Sequence, residues 1–210
     1  MAIICLEGAS AVGKTTTSNE LARMKNTYIV PEVNLLFERP KFETNTWYLE
    51  RQVDRWKIAQ EKQSKYDLVI LDGDIFQPLS YNWCFDFKIY EQSLDIIYEF
   101  YREEIIKKKL MFPDKYFYLY TSINNLTNRK ENDRTRKRRN FESHLDIIEP
   151  HQRYYEALYK FEPQFVQLID AKNIEDNARV IKDNLPSSTP YRDSEELLDS
   201  IKNWLMKNKP

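Results

Sequence analysis

The sequence predicts a three-layer α/β domain: a parallel sheet of about five strands with helices on both faces. Three observations carry that prediction. Short, continuous apolar runs recur at residues 2–6, 28–31, 67–71, 115–120 and 165–169, as strands buried on both faces require. Longer stretches of helical period separate them. A chain of 210 residues is long enough for one such domain around a single core.

Taken in order, the run AIICL is followed by a glycine-bounded loop and then KTTTSNELARM, which reads as a helix from Gly13 onward. YIVP is a short strand stopped by proline, and residues 47–65 read as a long helix of mixed charge. DLVIL is the next buried strand and runs directly into Asp72-Gly73-Asp74. Leu94, Ile97, Tyr98, Tyr101 and Ile105 fall at helical spacing within a helix expected over 90–109. KYFYLY is strand-like, and residues 128–140 are densely charged. Residues 142–159 read as helical, with Pro150 kinking the helix or standing at a helix start. A last strand, a helix near 175–184, a turn at PSSTP (186–190) and a final amphipathic helix over 194–207 complete the chain. The expected organisation is one domain over 1–185, with a lid near 129–140, and a C-terminal helical extension over 186–210.

Composition narrows the function. The formal net charge is −1, so no global field draws the chain to nucleic acid or lipid. No apolar run approaches membrane-spanning length, and the N-terminal one is too short for a signal peptide. Cys5 and Cys84 stand alone, without a CxxC pair or a metal cluster with His144 or His151. They read as reduced core thiols of a cytoplasmic protein, and both histidines read as surface or packing residues.

The sharpest signal is Gly8-Ala9-Ser10-Ala11-Val12-Gly13-Lys14-Thr15, which fits G-x-x-x-x-G-K-[ST]. Such a loop curls so that successive backbone N–H groups point at phosphate oxygens, and the helix that follows adds its positive end. Lys14 can reach the β- and γ-phosphates of ATP, and the Thr15 hydroxyl can ligate Mg2+. Gly8, Ala11, Val12, Gly13, Lys14, Thr15 and Thr16 form the expected nucleotide cradle. The chain has three glycines where average usage of about 7% would supply some fifteen. Two of the three occupy the motif. No [NT]KxD signature of guanine-specific proteins follows, and a large ATPase machine would add domains for which this length leaves no room.

LEGASAVGKTTTSNELA resembles the first strand, phosphate loop and helix of the deoxynucleoside kinase and thymidylate kinase families, where an E-G pair also precedes the loop. The resemblance extends in weaker, ordered matches over most of residues 1–185. It implies ATP- and Mg2+-dependent transfer of a phosphoryl group to a small acceptor, with a homodimer as the expected assembly. Glu32, in Val30-Pro31-Glu32-Val33, is similar to the family's general base, although the family places its proline after the glutamate. Asp72 resembles the acidic member of an acidic-Arg pair whose arginine is absent here, a departure that bears on substrate class. Arg129, Arg134, Arg136, Arg138 and Arg139 look like a lid. By resemblance, Gln52 and Arg55 lie on the substrate-facing helix, and the loop at residues 170–173 receives adenine.

Elementary chemistry points the same way. Phosphoryl transfer needs charge neutralisation and alignment of the attacking oxygen. Lys14, Mg2+ and lid arginines, with Arg134 and Arg136 the catalytic choices and Arg129 on ATP, would supply the first. A carboxylate at Glu32, at the end of a strand, can accept a hydroxyl proton. Asp72 is placed for Mg2+, with Asp74 competing for that role and for the substrate. Trp47, Phe76, Tyr81 and Trp83 are candidates to stack on a planar substrate. A nucleoside or deoxynucleoside is the leading acceptor. A nucleoside monophosphate, an antibiotic-type hydroxyl acceptor, a non-catalytic ATP switch and a polynucleotide-end kinase are the alternatives.

Overall fold

A computed structural model describes residues 1–88, 92–133, 141–187 and 192–210. The elements are β1 (Ala2–Gly8), α1 (Lys14–Met24), β2 (Thr27–Val30), α2 (Val33–Leu36), α3 (Trp47–Gln63), β3 (Leu68–Asp72), α4 (Gln77–Cys84) and α5 (Leu94–Ile106). They continue with β4 (Lys115–Tyr120), α6 (Ile123–Asn132), α7 (Phe141–Leu145), α8 (Ile148–Phe161), β5 (Val166–Asp170), α9 (Ile174–Asp183) and α10 (Ser194–Lys207). The five strands form one sheet in the order β2-β3-β1-β4-β5, parallel throughout. The expected three-layer α/β fold with five strands is what the structure shows.

Both faces of the sheet are apolar, which is why the strands read as continuous runs rather than alternating ones. From β1, Ile3 and Cys5 enter one core with Trp56, Trp83, Tyr101, Tyr155 and Ile201, while Ile4 and Leu6 enter the other with Leu21, Phe117 and Ile181. β1 lies at the centre, so its C-terminal end meets the ends of both β3 and β4. That is the switch region where open parallel sheets collect ligand-facing groups.

Several elements differ from expectation, among them the short α2, which sequence did not suggest. The helix expected over 142–159 is two helices. Pro150 sits in the first turn of α8, where its missing N–H costs no hydrogen bond. The helix expected from Tyr90 begins at Leu94, where the Ser93 hydroxyl accepts the Ile96 amide; Tyr90 lies outside the described residues, as does most of the expected turn over 186–190. α4 was not anticipated. Its QPLSYNWC sequence carries no clear period, and Pro78 in its first turn masks the start.

α10 packs on α5 and α8. The Tyr98 hydroxyl donates to Asp199 at 2.5 Å, and the Trp83 indole N–H donates to the Asn208 carbonyl at 3.0 Å.

Candidate active site

The phosphate loop follows from two close approaches. Gly8 has φ +142, and a Cβ there would lie 2.2 Å from the Leu119 carbonyl oxygen on β4. Only glycine allows β1 and β4 to stay paired at that point. Gly13 caps α1 at φ +106, and Ala11 is also left-handed at φ 69, a conformation costing an alanine roughly 1–2 kcal/mol.

Lys14 Nζ donates to the Gly8 carbonyl at 2.7 Å and lies 3.8 Å from Glu7 Oε1. Glu7 is buried, and its oxygens also accept the amides of Gly8 and Asp74, both at 2.7 Å. Burial alone would raise its pKa, but Lys14, His151 and the two amides outweigh that and hold it below the usual range. The Thr16 hydroxyl turns back onto the Gly13 carbonyl at 2.9 Å, so any contribution to a nucleotide would come from its backbone.

Beside the loop, the Thr15 hydroxyl donates to Asp72 Oδ2 at 2.7 Å. Asp72 Oδ1 is buried without a hydrogen-bond partner among the described residues. Burial pushes this carboxyl upward, against the opposing effects of Lys14 and Thr15. A buried, unsatisfied carboxylate oxygen next to a hydroxyl fits a hard cation that completes its shell with water and phosphate oxygens. No cluster of three or more His, Cys, Asp or Glu able to hold a metal occurs among the described residues, so a cation here would need those outside ligands.

The Asp74 carboxylate is otherwise engaged. Its Oδ1 accepts the Tyr116 hydroxyl at 2.7 Å and the Phe76 amide at 3.0 Å, and its Oδ2 accepts the Tyr155 hydroxyl at 3.0 Å. Burial lifts its pKa to about 6. Asp74 thus pins the floor of the site to β4 and α8, and it also lines the neighbouring cavity.

Next to the phosphate loop lies a cavity of about 740 Å³. Glu32, at the N-cap of α2, lines it together with Lys14, Gln52 and Arg55. The Glu32 side chain makes no capping hydrogen bond and lies against Gly73, whose absent Cβ would be 3.7 Å from Glu32 Cγ.

Arg55 is fully buried. Its Nε donates to the Pro31 carbonyl, one terminal nitrogen to Gln52 Oε1 and the other to the carbonyls of Asp72 and Gly73, all at 2.8 Å. It ties the ends of β2 and β3 to α3 and leaves the Gln52 amide nitrogen as that side chain's group for the cavity. Arg129, on α6, spans the phosphate loop and the segment after β5, donating to the carbonyls of Val12 (2.7 Å), Ala171 (2.6 Å) and Lys172 (3.0 Å). Arg134, Arg136, Arg138 and Arg139 lie outside the described residues.

A family model described as an AAA domain matches residues 3–176. The chain belongs to this AAA domain family. No curated protein matches it. Among solved structures, thymidylate kinase from Candida albicans is similar at 16% identity over 87% of this chain and 92% of that one, with a TM-score of 0.58. Deoxyadenosine kinase from M. mycoides with bound dATP is similar at 17% identity over 86% of this chain and 97% of that one, with a TM-score of 0.56. At these identities the likeness establishes the P-loop kinase fold.

Within this AAA-domain chain, the aromatic candidates divide. Tyr81 lines the cavity. Phe76 does not: it is buried in the core, stacked on Phe112 at 4.0 Å. Trp47 lies under Arg39 and Arg51 and Trp83 packs on Trp204, so neither reaches the cavity, whereas Tyr48, beside Trp47, does.

Sequence reasoning also missed the α4 residues Gln77, Pro78 and Asn82, and both histidines. His144 lines the cavity with its Nε2 3.2 Å from the Tyr81 hydroxyl. His151 lines it from α8 and is only 7% exposed. His151 shares the buried stripe of α8 with Tyr154, Tyr155 and Leu158, so sequence offered no signal that set it apart from packing residues.

Proposed function

We propose that the protein uses ATP and Mg2+ in the cytoplasm to phosphorylate a hydroxyl on a small uncharged acceptor, a nucleoside or deoxynucleoside first among them. The observation that carries this reading is Glu32: a carboxylate in the cavity with no hydrogen bond or ion pair among the described residues, close to Lys14 and to the Thr15–Asp72 pair. A hydroxyl acceptor needs a base there, and an already ionised phosphate acceptor does not.

The backbone of residues 8–15 would cradle the phosphates, with Lys14 leaving the Gly8 carbonyl for the transferred group. Arg129 would buttress the nucleotide end, and Arg134 and Arg136 would close over it. Thr15 and Asp72 would hold Mg2+, which neutralises phosphate charge when bound. As the acceptor oxygen bonds to the γ-phosphorus and the bond to the ADP oxygen breaks, Glu32 takes the hydroxyl proton.

The cavity's charge supports an uncharged acceptor. Among the described residues Arg39 is paired with Glu43 at 2.6 Å, Arg55 is committed to four oxygens, and Lys14 is reserved for the transferred phosphate. Carboxamides are abundant in its wall, with Asn45, Gln52, Gln77 and Asn82 among them, groups suited to the donor and acceptor edges of a nucleobase.

The test measures ATP consumption with Mg2+ against nucleosides, nucleoside monophosphates and hydroxyl antibiotics, in the parent and in Glu32→Gln. Stimulation by a nucleoside, reduced 10²–10⁴-fold in the variant, is expected for a lost general base. Stimulation by a monophosphate that survives the substitution would reassign the enzyme to nucleotide kinases, and no stimulation by any acceptor would point to an ATP-driven switch.

A further inference from the structure

We propose that His151 is an acceptor-binding residue whose Nε2–H donates a hydrogen bond to an uncharged hydroxyl or carbonyl oxygen of the acceptor. The inference deepens the reading of the cavity as an acceptor pocket and rests on it. His151 is 93% buried by its residual exposure of 7%, yet its ring lines the cavity. Its Nε2 is buried and has no hydrogen-bond partner among the described residues. Buried polar atoms are nearly always paired, so an unpaired one on a residue that lines a cavity marks a place for a ligand atom.

The hydrogen bonding of the other ring nitrogen assigns the proton. Nδ1 lies 3.4 Å from the Tyr118 hydroxyl, the only hydrogen bond of that hydroxyl among the described residues. If Nδ1 carried the proton, the hydroxyl would accept it and leave its own proton buried and unpaired. With the hydroxyl donating, Nδ1 accepts and the proton rests on Nε2. Burial holds the imidazole's pKa down at about 4, so at neutral pH the ring offers one uncharged donor. Such a donor suits an uncharged oxygen.

His151 belongs with Tyr81 and His144 to the wall built by α4, α7 and α8. It also interacts electrostatically with Glu7 and Lys14 beside the phosphate loop, so the KM for ATP is the control that separates an acceptor contact from a nucleotide one. The same wall carries no described cation from those three helices into the cavity.

The experiment combines ¹⁵N-histidine NMR of the intact protein, titrated separately with ATP and with a panel of nucleosides, and kinetics of His151→Leu and His151→Gln. The free protein should show the Nε2-protonated tautomer at residue 151, and a bound nucleoside should shift that resonance. His151→Leu should raise the acceptor KM about tenfold while the ATP KM stays within about twofold. His151→Gln, which keeps an amide donor, should recover most of the loss, as a merely structural role would not require. Unchanged ATP affinity shows that both variants are folded. An unchanged acceptor KM in His151→Leu, or a raised ATP KM in its place, overturns the assignment. A phosphorylated acceptor that leaves the resonance unmoved overturns it too and leaves the kinase reading standing. A nucleoside that shifts the resonance but is never phosphorylated supports the contact and sinks the kinase reading. If nothing is phosphorylated and nothing shifts the resonance, both fall.

Discussion

Replacing Arg55 by lysine keeps the charge and most of the stem, yet it should be among the most damaging single changes in this chain. The guanidinium makes four hydrogen bonds of 2.8 Å to oxygens of Pro31, Gln52, Asp72 and Gly73, reached by three nitrogens in a rigid fork. A lysine presents one nitrogen, which cannot meet acceptors on three separate segments. If one bond survives, three buried acceptors lose their donor, each worth about 1.5–3 kcal/mol when the donor is charged. Relaxation reduces the sum, and about 3–5 kcal/mol is the expected loss for breaking a buried charged network. With a urea slope near 2 kcal/mol/M, the unfolding midpoint falls by about 1.5–2.5 M. The assay is urea denaturation followed by tryptophan fluorescence, which Trp56 on the same helix reports. A midpoint drop below about 0.5 M would refute the reasoning, because it would mean that the carbonyls at the ends of β2 and β3 do not depend on the fork.

Other expectations concern the phosphate loop, the metal site and Asp74. Gly8→Ala should cost at least 3 kcal/mol in denaturant stability, combining a disallowed φ with a Cβ 2.2 Å from a carbonyl oxygen. Gly73→Ala, whose Cβ would meet nothing nearer than 3.7 Å, should cost only about 1 kcal/mol, and equal losses would contradict the close approach at β4. Asp72→Asn should abolish most of the Mg2+ enhancement of ATP binding measured by calorimetry, and a parent-like Mg2+ dependence would remove Asp72 from the metal site. Asp74 has a folded pKa of about 6 against roughly 3.9 unfolded. Its stabilising protonation is therefore complete only well below about pH 4 and lost as pH rises through 6. The stability gap between the parent and Asp74→Asn should move by about 2 kcal/mol in the parent's favour from pH 7 to pH 4; a pH-independent gap would exclude this titration.

Sequence was most informative where chemistry restricts the residue. Gly8, Gly13, Lys14 and Thr15 are legible because that loop needs their turns and charges, and the central strands β1, β3 and β4 because two-sided burial leaves nearly unbroken apolar runs. It was least informative where a role depends on direction. Phe76 and Tyr81 are five residues apart and similarly aromatic, but one turns into the core and the other toward the cavity. Asp72 and Asp74 flank one glycine, and only the positions of Thr15, Tyr116 and Tyr155, each distant in sequence, distinguish them. His151 was overlooked because a lone histidine on a helix carries no period of its own.

The place of β1 has a kinetic consequence. Its partners in the sheet begin at Leu68 and Lys115, so the strand that leads into the phosphate loop can be enclosed only after two long loops have closed, a slow step for a chain. The curl at Gly8 takes its shape from the passing carbonyl of Leu119, and before β4 arrives there is no cradle for a phosphate. Nucleotide should therefore act on the finished molecule alone: it should slow unfolding in proportion to its occupancy and leave the refolding rate untouched.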